Sequence, residues 1–252
     1  MNKLNILFIA ASVFVVKTAV AQNTDTAKYM GWRSHDISGA AQIQVTYRKG
    51  NTTQLNQDLN SVGLPSLASK DVWINLSMAH YNHNWIMEDG LGFSPWSSSS
   101  VNNLKATYSQ YQAYFRAGYN VSQDIDFKLY PFVGLNFSAA ILDIQDNARI
   151  QNVTNFSQEI LNSTSSKVFY QPNFGIELGA GFDYFIKLKP KQIDCVEIQR
   201  NIPIGLRAGY YINTYASGWK IDNYSLQNGP SAKQSNVFVS LNIGLGYEIK
   251  KR

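Results

Sequence analysis

The stretch from Val237 to Ile249, VFVSLNIGLGYEI, alternates apolar side chains with polar or very small ones. A β-strand points successive side chains to opposite faces, so one face of this segment is apolar and the other is polar. The apolar positions are Val237, Val239, Leu241, Ile243, Leu245, Tyr247 and Ile249. Whether this apolar face meets a protein interior or lipid decides what the chain can fold into.

Eight segments carry the same alternation. They lie near residues 39–48, 71–82, 84–94, 104–119, 125–142, 168–187, 202–216 and 237–252. Several exceed the five or six residues usual in soluble sheets and match the roughly 9 to 11 residues that cross a bilayer. Only in 84–94 is the pattern weak, because Asp89 falls among the apolar positions. The sequence therefore predicts an all-β protein, an eight-stranded antiparallel up-and-down transmembrane β-barrel over residues 37–252.

The connections between these segments alternate in length. The longer set comprises residues 49–70, 95–103, 143–167 and 217–235. Short periplasmic turns and long extracellular loops are typical of outer-membrane barrels. In the first long loop, TTQLNQDLNSVGL predicts a short helix with Thr52 or Thr53 as N-cap and with Leu55, Leu59 and Val62 on one side.

The N-terminus has the composition of a secretory signal peptide. Lys3 precedes a short apolar run, and Ala19 and Ala21 form an A-x-A-like cleavage site. We expect cleavage near Ala21, with residues 22–36 as a periplasmic tail. Loss of Lys3 and Lys17 would lower the formal charge from +5 to +3, which argues against nucleic acid as a partner. One cysteine, Cys195, excludes an internal disulfide.

The C-terminal segment also contains a short motif. NIGLGYEI has the order polar-x-Gly-x-x-aromatic-x-hydrophobic, at Asn242, Gly244, Tyr247 and Ile249. With the eight alternating segments, it resembles the small eight-stranded outer-membrane β-barrel family of Gram-negative bacteria, the OmpA/OmpX-like or porin family group. The resemblance implies contact with outer-membrane lipid and lipopolysaccharide, and recognition by the barrel-assembly machinery. The chain departs from the family's pattern because Lys250, Lys251 and Arg252 follow the motif in place of a terminal aromatic residue.

Charged side chains lie on the polar face of the predicted strands. They are Arg48, Glu88, Arg116, Lys128, Glu177, Asp183, Arg207 and Glu248. The interior of an eight-stranded barrel is just wide enough for side chains to fill it, so we expect a charge network that plugs the lumen. We expect Arg116 and Lys128 to be neighbours across a short turn. Glu88 and either Glu177 or Asp183 would neutralise them.

Aromatic residues cluster near the strand ends and predict two interfacial girdles. The inner girdle comprises Trp85, Tyr119, Tyr184 and Tyr247, and the outer one comprises Trp96, Tyr108 and Trp219.

The predicted function is that of a non-enzymatic outer-membrane barrel with a structural role or an unknown surface partner for its loops. A narrow channel or transport accessory is the alternative. A lipid A-modifying enzyme would need chemistry at His80 or His83, but two histidines do not complete a zinc site, and we expect both at a turn. A soluble lipocalin-like ligand binder would need its apolar faces inside. No catalytic residue, metal or cofactor is predicted.

Overall fold

The computed structural model describes residues 37–124, 126–146, 166–193, 196–222, 224–230 and 235–251. The predicted signal peptide and the tail of residues 22–36 lie outside these ranges and stay predictions. The barrel predicted over 37–252 begins, as described, with a strand at Ile37 and ends with one at Lys251.

Eight long strands form one closed antiparallel barrel. They are β1 (Ile37–Arg48), β2 (Val72–Asn82), β3 (Trp85–Val101), β4 (Leu104–Tyr119), β5 (Phe127–Asp146), β6 (Ser166–Lys187), β7 (Val196–Ala216) and β8 (Asn236–Lys251). Each strand pairs with the next, and β8 pairs with β1 to close the ring. The predicted fold class is confirmed.

The third strand is longer than predicted. β3 continues through Ser97–Ser100 to Val101 and pairs with β4 up to a two-residue turn at Asn102 and Asn103. Both turn residues have positive φ angles, 45° and 66°, as the tight turns of β-hairpins require. The prediction of a long loop over 95–103 is therefore wrong. A run of four serines has no apolar face, so its strand shows no alternation in the sequence.

The two ends of the barrel differ, and we name them by their connections. The turn end holds the β2–β3 turn at residues 83–84 and the β4–β5 connection at residues 120–126. At this end a short strand, Lys191–Ile193, also pairs with the beginning of β7. The opposite, loop end holds the residue 49–71 loop and the connection from β7 to β8.

The wall of the barrel is apolar outside and polar inside. Along β8, Leu241 is 65% exposed, whereas its neighbours Ser240 and Asn242 are buried in the lumen. The soluble alternative required the opposite arrangement. An exposed apolar band around a polar interior is the distribution of a transmembrane barrel. Among the residues that the structure describes, no helix is long and apolar enough to cross a membrane.

Aromatic side chains encircle the turn end on the outside. Trp85, Tyr119, Tyr184 and Tyr247 are all exposed there, and the rings of Trp85 and Tyr119 meet edge to face at 5.5 Å. At the loop end the expected girdle is wrong for two of three residues. Trp96 is exposed, but Trp219 is buried and Tyr108 packs against the same buried cluster.

The predicted helix in the first loop is present as α1 (Thr53–Ser61), with Thr52 as its N-cap residue. The Thr52 side chain does not cap the helix; it donates to Leu67 O at 3.3 Å. Leu55 and Leu59 are buried as predicted. Val62 lies beyond the last turn and is exposed, because the helix ends before the side chain can return to the apolar face.

Candidate functional site: the barrel lumen

Five of the predicted charged residues meet in the middle of the lumen. They are Glu88, Arg116, Glu177, Asp183 and Arg207, and all five are buried. Each side chain points inward from its strand. Antiparallel pairing sets Glu88 of β3 directly opposite Arg116 of β4. The strand alternation thus brings residues distant in sequence to one level of the barrel.

Arg116 binds two of the carboxylates. Its Nη1 atom lies 2.7 Å from Glu88 Oε1, and its Nε atom lies 2.7 Å from Glu177 Oε2. The guanidinium carbon also lies 4.2 Å from the centre of the Tyr114 ring, a cation–π distance. Arg116 therefore joins β3, β4 and β6 across the interior.

Arg207 binds the third carboxylate and shares the first. Its Nη1 and Nη2 atoms donate to Asp183 Oδ1 and Oδ2 at 2.8 and 3.0 Å, a bidentate pair. Its Nη2 atom also lies 3.2 Å from Glu88 Oε2. The result is one continuous chain of ion pairs in the order Glu177, Arg116, Glu88, Arg207 and Asp183.

Neutral side chains complete the hydrogen bonding of this chain. Gln44 Nε2 donates to Glu88 Oε1, Asn136 Nδ2 to Glu177 Oε1, and Tyr130 Oη to Asp183 Oδ2, each at 2.8 Å. Sequence reasoning did not single out these three residues. All of them lie on the polar face of a predicted strand, and this position alone could have indicated that their side chains point into the lumen. A buried charge is tolerable where it is both paired and hydrogen-bonded, as it is here.

Aromatic rings fill the remaining space above inward-facing glycines. A Cβ atom placed on Gly90 would lie 2.6 Å from Tyr114 Cζ, and one placed on Gly181 would lie 2.5 Å from Tyr130 Cζ. Such distances are too short for any side chain to fit without movement of the ring. Glycine at these positions therefore lets the rings lie against the wall, where they reach the charged residues.

The other three predicted members lie away from the ion-pair chain. Arg48 is at the loop end, and Lys128 and Glu248 are half-buried at the turn end. Lys128 stands beside Asp183 in the β5–β6 register and its Nζ lies 5.4 Å from the centre of the Tyr81 ring. The expected neighbourhood of Arg116 and Lys128 is wrong, because the β4–β5 register sets Arg116 opposite Gly134, six residues further along β5 than Lys128.

A second, apolar core closes the loop end; we call it the cap. Its buried members are Leu55, Leu59, Leu67, Ala106, Ala140, Leu142 and Trp219. The inward face of β4 and β5 thus changes from polar to apolar near this end, and α1 packs on it. Trp219 Nε1 donates to Pro230 O at 2.8 Å, so its one polar atom is satisfied inside the cap.

The residues of the C-terminal motif divide between the two faces of β8. Asn242 is buried and donates to Gln42 Oε1 at 3.0 Å. Gly244 faces inward against β1, while Tyr247 is exposed on the outside and Ile249 is half-buried. The motif lies on the strand that closes the barrel.

The two histidines of HYNH lie near the β2–β3 turn, as predicted. His83 has a positive φ of 54° in the turn itself. His80 is on the outer face, with Nε2 3.6 Å from Asp89 Oδ1. Asp89, which interrupts the apolar pattern of β3, therefore has a partner on the neighbouring strand. Within the described ranges, no group of three or more His, Cys, Asp or Glu side chains could hold a metal ion.

Comparison with known proteins finds neither a matching family model nor a matching curated relative. Among solved structures, the attachment invasion locus protein Ail of Yersinia pestis is similar at 10% identity and a TM-score of 0.35, over 84% of this chain and 99% of Ail. Neisserial surface protein A is similar at 12% identity and a TM-score of 0.36, over 84% and 96%. A major outer membrane protein from Thermus thermophilus is similar at 9% identity and a TM-score of 0.37, over 83% and 98%.

These likenesses are to proteins of the class that the strand pairing and the polarity of this chain define by themselves, the small transmembrane β-barrels. At such identities they carry no conclusion about what this chain binds or does.

Proposed function

We propose that this chain is a non-enzymatic integral protein of the outer membrane, with its turn end in the periplasm and its loop end at the cell surface. Its role is to support the envelope or to bind a surface partner. The observation that carries the proposal is that side chains fill the lumen at two levels. The ion-pair chain fills its middle, and the cap fills its loop end. A barrel closed in this way acts through its outer wall and its loops.

The shape of the loop end supports a surface role. β5 and β6 have 20 and 22 residues, about twice the length that a bilayer needs, and stay paired as far as Gln145 and Ser166. Together with β3 and β4 they form a raised wall beyond the ends of β1 and β2. Trp96 on this wall is 70% exposed, and Trp is one of the residue types that most often carry the binding energy of an interface.

The motif on β8 supports the barrel-assembly machinery as a partner. Tyr247 faces outward near the turn end, where the machinery would reach it from the periplasm, and β8 is the strand that closes the ring. Outer-membrane lipid contacts the apolar band, and lipopolysaccharide contacts the outer part of that band.

Fractionation of the native envelope tests the location. We expect the protein in the outer-membrane fraction, with electrophoretic mobility that changes on boiling, because a closed barrel resists detergent until heated. Recovery in the soluble periplasm or the medium would contradict the proposal. Protease added to whole cells tests the orientation, since cleavage in the residue 49–71 loop requires the loop end to face outward.

A narrow channel is the second candidate, and one observation favours it. Polar side chains continue from Arg48 through Gln112 and Asn136 to Glu177, with Gln112 Oε1 accepting from Arg48 Nη2 at 3.2 Å and from Asn136 Nδ2 at 3.1 Å. Conductance of purified protein in planar bilayers separates the two functions. The proposed closed barrel gives no current steps at high protein load, and reproducible steps would favour the channel.

The absence of enzymatic activity is also a proposal. The pair of His80 and Asp89 is the arrangement that an acid–base enzyme would use, but it lies on the lipid-facing side and near the turn end. Mass spectra of lipid A from wild-type, deletion and overexpressing cells test it. We expect identical spectra, and a new acylation state that His80→Gln abolishes would contradict the proposal.

A further inference from the structure

Arg48 differs from the two other arginines of the lumen. Arg116 and Arg207 each bind two carboxylates, whereas no carboxylate of the described residues forms an ion pair with Arg48. Its guanidinium carbon lies 4.3 Å from the centre of the Trp73 ring and 4.5 Å from that of Tyr211. The group is thus held between two aromatic rings, and Gln112 Oε1 accepts a hydrogen bond from its Nη2 atom at 3.2 Å.

A small cavity lies beside this guanidinium at the loop end. Its volume is about 40 Å³, room for about three water molecules. It is lined by Arg48, Lys49, Gly50, Trp73, Gln110, Ser138, Ala139, Ala140, Asn173, Tyr211, Asn213 and Asn236. Lys49 is exposed, so the cavity reaches the surface on that side. We call it the Arg48 cavity.

The wall of the Arg48 cavity contains side-chain amide groups whose oxygen atoms accept no hydrogen bond from the described residues. Asn213 is buried, and its Oδ1 atom has no hydrogen-bond partner among the described residues; the same holds for Asn173 Oδ1. A primary amide carries two donors as well as an acceptor, and rotation about its last torsion exchanges them. Asn213 can therefore present its NH₂ group to a ligand without breaking a bond made through Oδ1.

We propose that the Arg48 cavity binds an oxyanion, the carboxylate or phosphate group of a small solute that enters from the loop end. Guanidinium forms two parallel hydrogen bonds with such groups, and the position of Arg48 between two rings orients it in advance. Lys49 adds a second positive charge at the opening, and Asn213 adds a neutral donor. The proposal goes beyond the function proposed above and does not require that anything cross the barrel.

Nuclear magnetic resonance of the refolded full chain in detergent micelles tests the proposal. The Nε–Hε resonances of ¹⁵N-labelled arginines are followed during titration with sodium phosphate, sodium acetate or sodium chloride at one ionic strength. We expect one arginine resonance to shift and saturate with an oxyanion and not with chloride. Saturation with phosphate alone or with acetate alone identifies the preferred group. No saturable shift, or an equal shift with chloride, would overturn the proposal.

A matched pair of variants assigns the effect. Arg48→Met removes the guanidinium and keeps the bulk of the side chain, and we expect at least a tenfold loss of oxyanion affinity by calorimetry. Arg200→Met removes an exposed arginine near the turn end and should bind as wild type does. Equal binding by Arg48→Met would overturn the proposal. If that variant does not refold, Arg48→Lys keeps the charge and loses the planar fork, and we expect it to bind more weakly than wild type.

Discussion

Glu88 and Arg207 lie on strands that are not neighbours in the barrel wall, yet Glu88 Oε2 is 3.2 Å from Arg207 Nη2. The other oxygen of the same carboxylate, Oε1, is 2.7 Å from Arg116 Nη1. One side chain therefore ties β3 to β4 beside it and to β7 across the lumen. Strand pairing holds each strand only to its two neighbours. Glu88 in addition links two strands that face each other across the lumen.

Replacement of Glu88 by Gln should destabilise the barrel strongly. The variant keeps the shape but leaves Arg116 and Arg207 with two carboxylates between them, and breaking a buried ion pair costs about 3–5 kcal/mol. Urea unfolding of protein refolded into lipid vesicles measures the free energy of unfolding. Asp58→Asn, which removes an exposed carboxylate from α1, should change it by about 0.5 kcal/mol or less. A loss below about 1 kcal/mol in Glu88→Gln would contradict the bridging role.

The sequence was sufficient to predict the barrel because its strongest pattern, alternation, is a local property of each strand. Positions such as Leu241 outside and Asn242 inside followed from period two alone. The same pattern placed eight charged residues on the polar face, and five of them form the ion-pair chain, because charged side chains on that face of a barrel strand point into the lumen.

What the sequence did not predict depends on distances between strands. The pairing of Arg116 with Gly134 depends on the register of β4 against β5, which the alternation within either strand does not specify. Likewise, Trp219 is indistinguishable in sequence from an interfacial tryptophan. Its burial follows from α1 and the extended strands meeting above the lumen, a tertiary arrangement without a local signal.

Replacement of Gly90 by Ala should destabilise the lumen although it adds a single methyl group. The new Cβ atom would lie 2.6 Å from Tyr114 Cζ, so the ring must leave its place beside Arg116. We expect a loss of about 1–3 kcal/mol, the usual range for overpacking. Ala41→Val adds bulk to an outward-facing position of β1 and is the control. Urea unfolding in vesicles checks both variants, and equal stabilities would show that the ring moves without cost.

Loss of the apolar side of α1 should release the cap and leave the barrel closed in its middle. In the double variant Leu55→Ser and Leu59→Ser, two buried side chains no longer favour docking. We expect trypsin to cut at Lys49 or Lys70 at least tenfold faster in the folded variant, whereas Gln57→Ser, at an exposed helix position, should be cut as slowly as wild type. An unchanged rate would mean that other residues hold the loop.

Contact between the apolar face of β8 and lipid can be tested by placing an arginine at two different depths of the bilayer. Ile243 lies midway between Val237 near the loop end and Tyr247 in the aromatic girdle, and all three side chains face outward. Arginine at the middle of a bilayer costs about 2–4 kcal/mol, and near an interface about 0–1 kcal/mol. Ile243→Arg should therefore lower the free energy of unfolding in vesicles much more than Val237→Arg. If both variants unfold at the urea concentration of wild type, the apolar face of VFVSLNIGLGYEI meets water, because an outward-facing arginine costs nothing there.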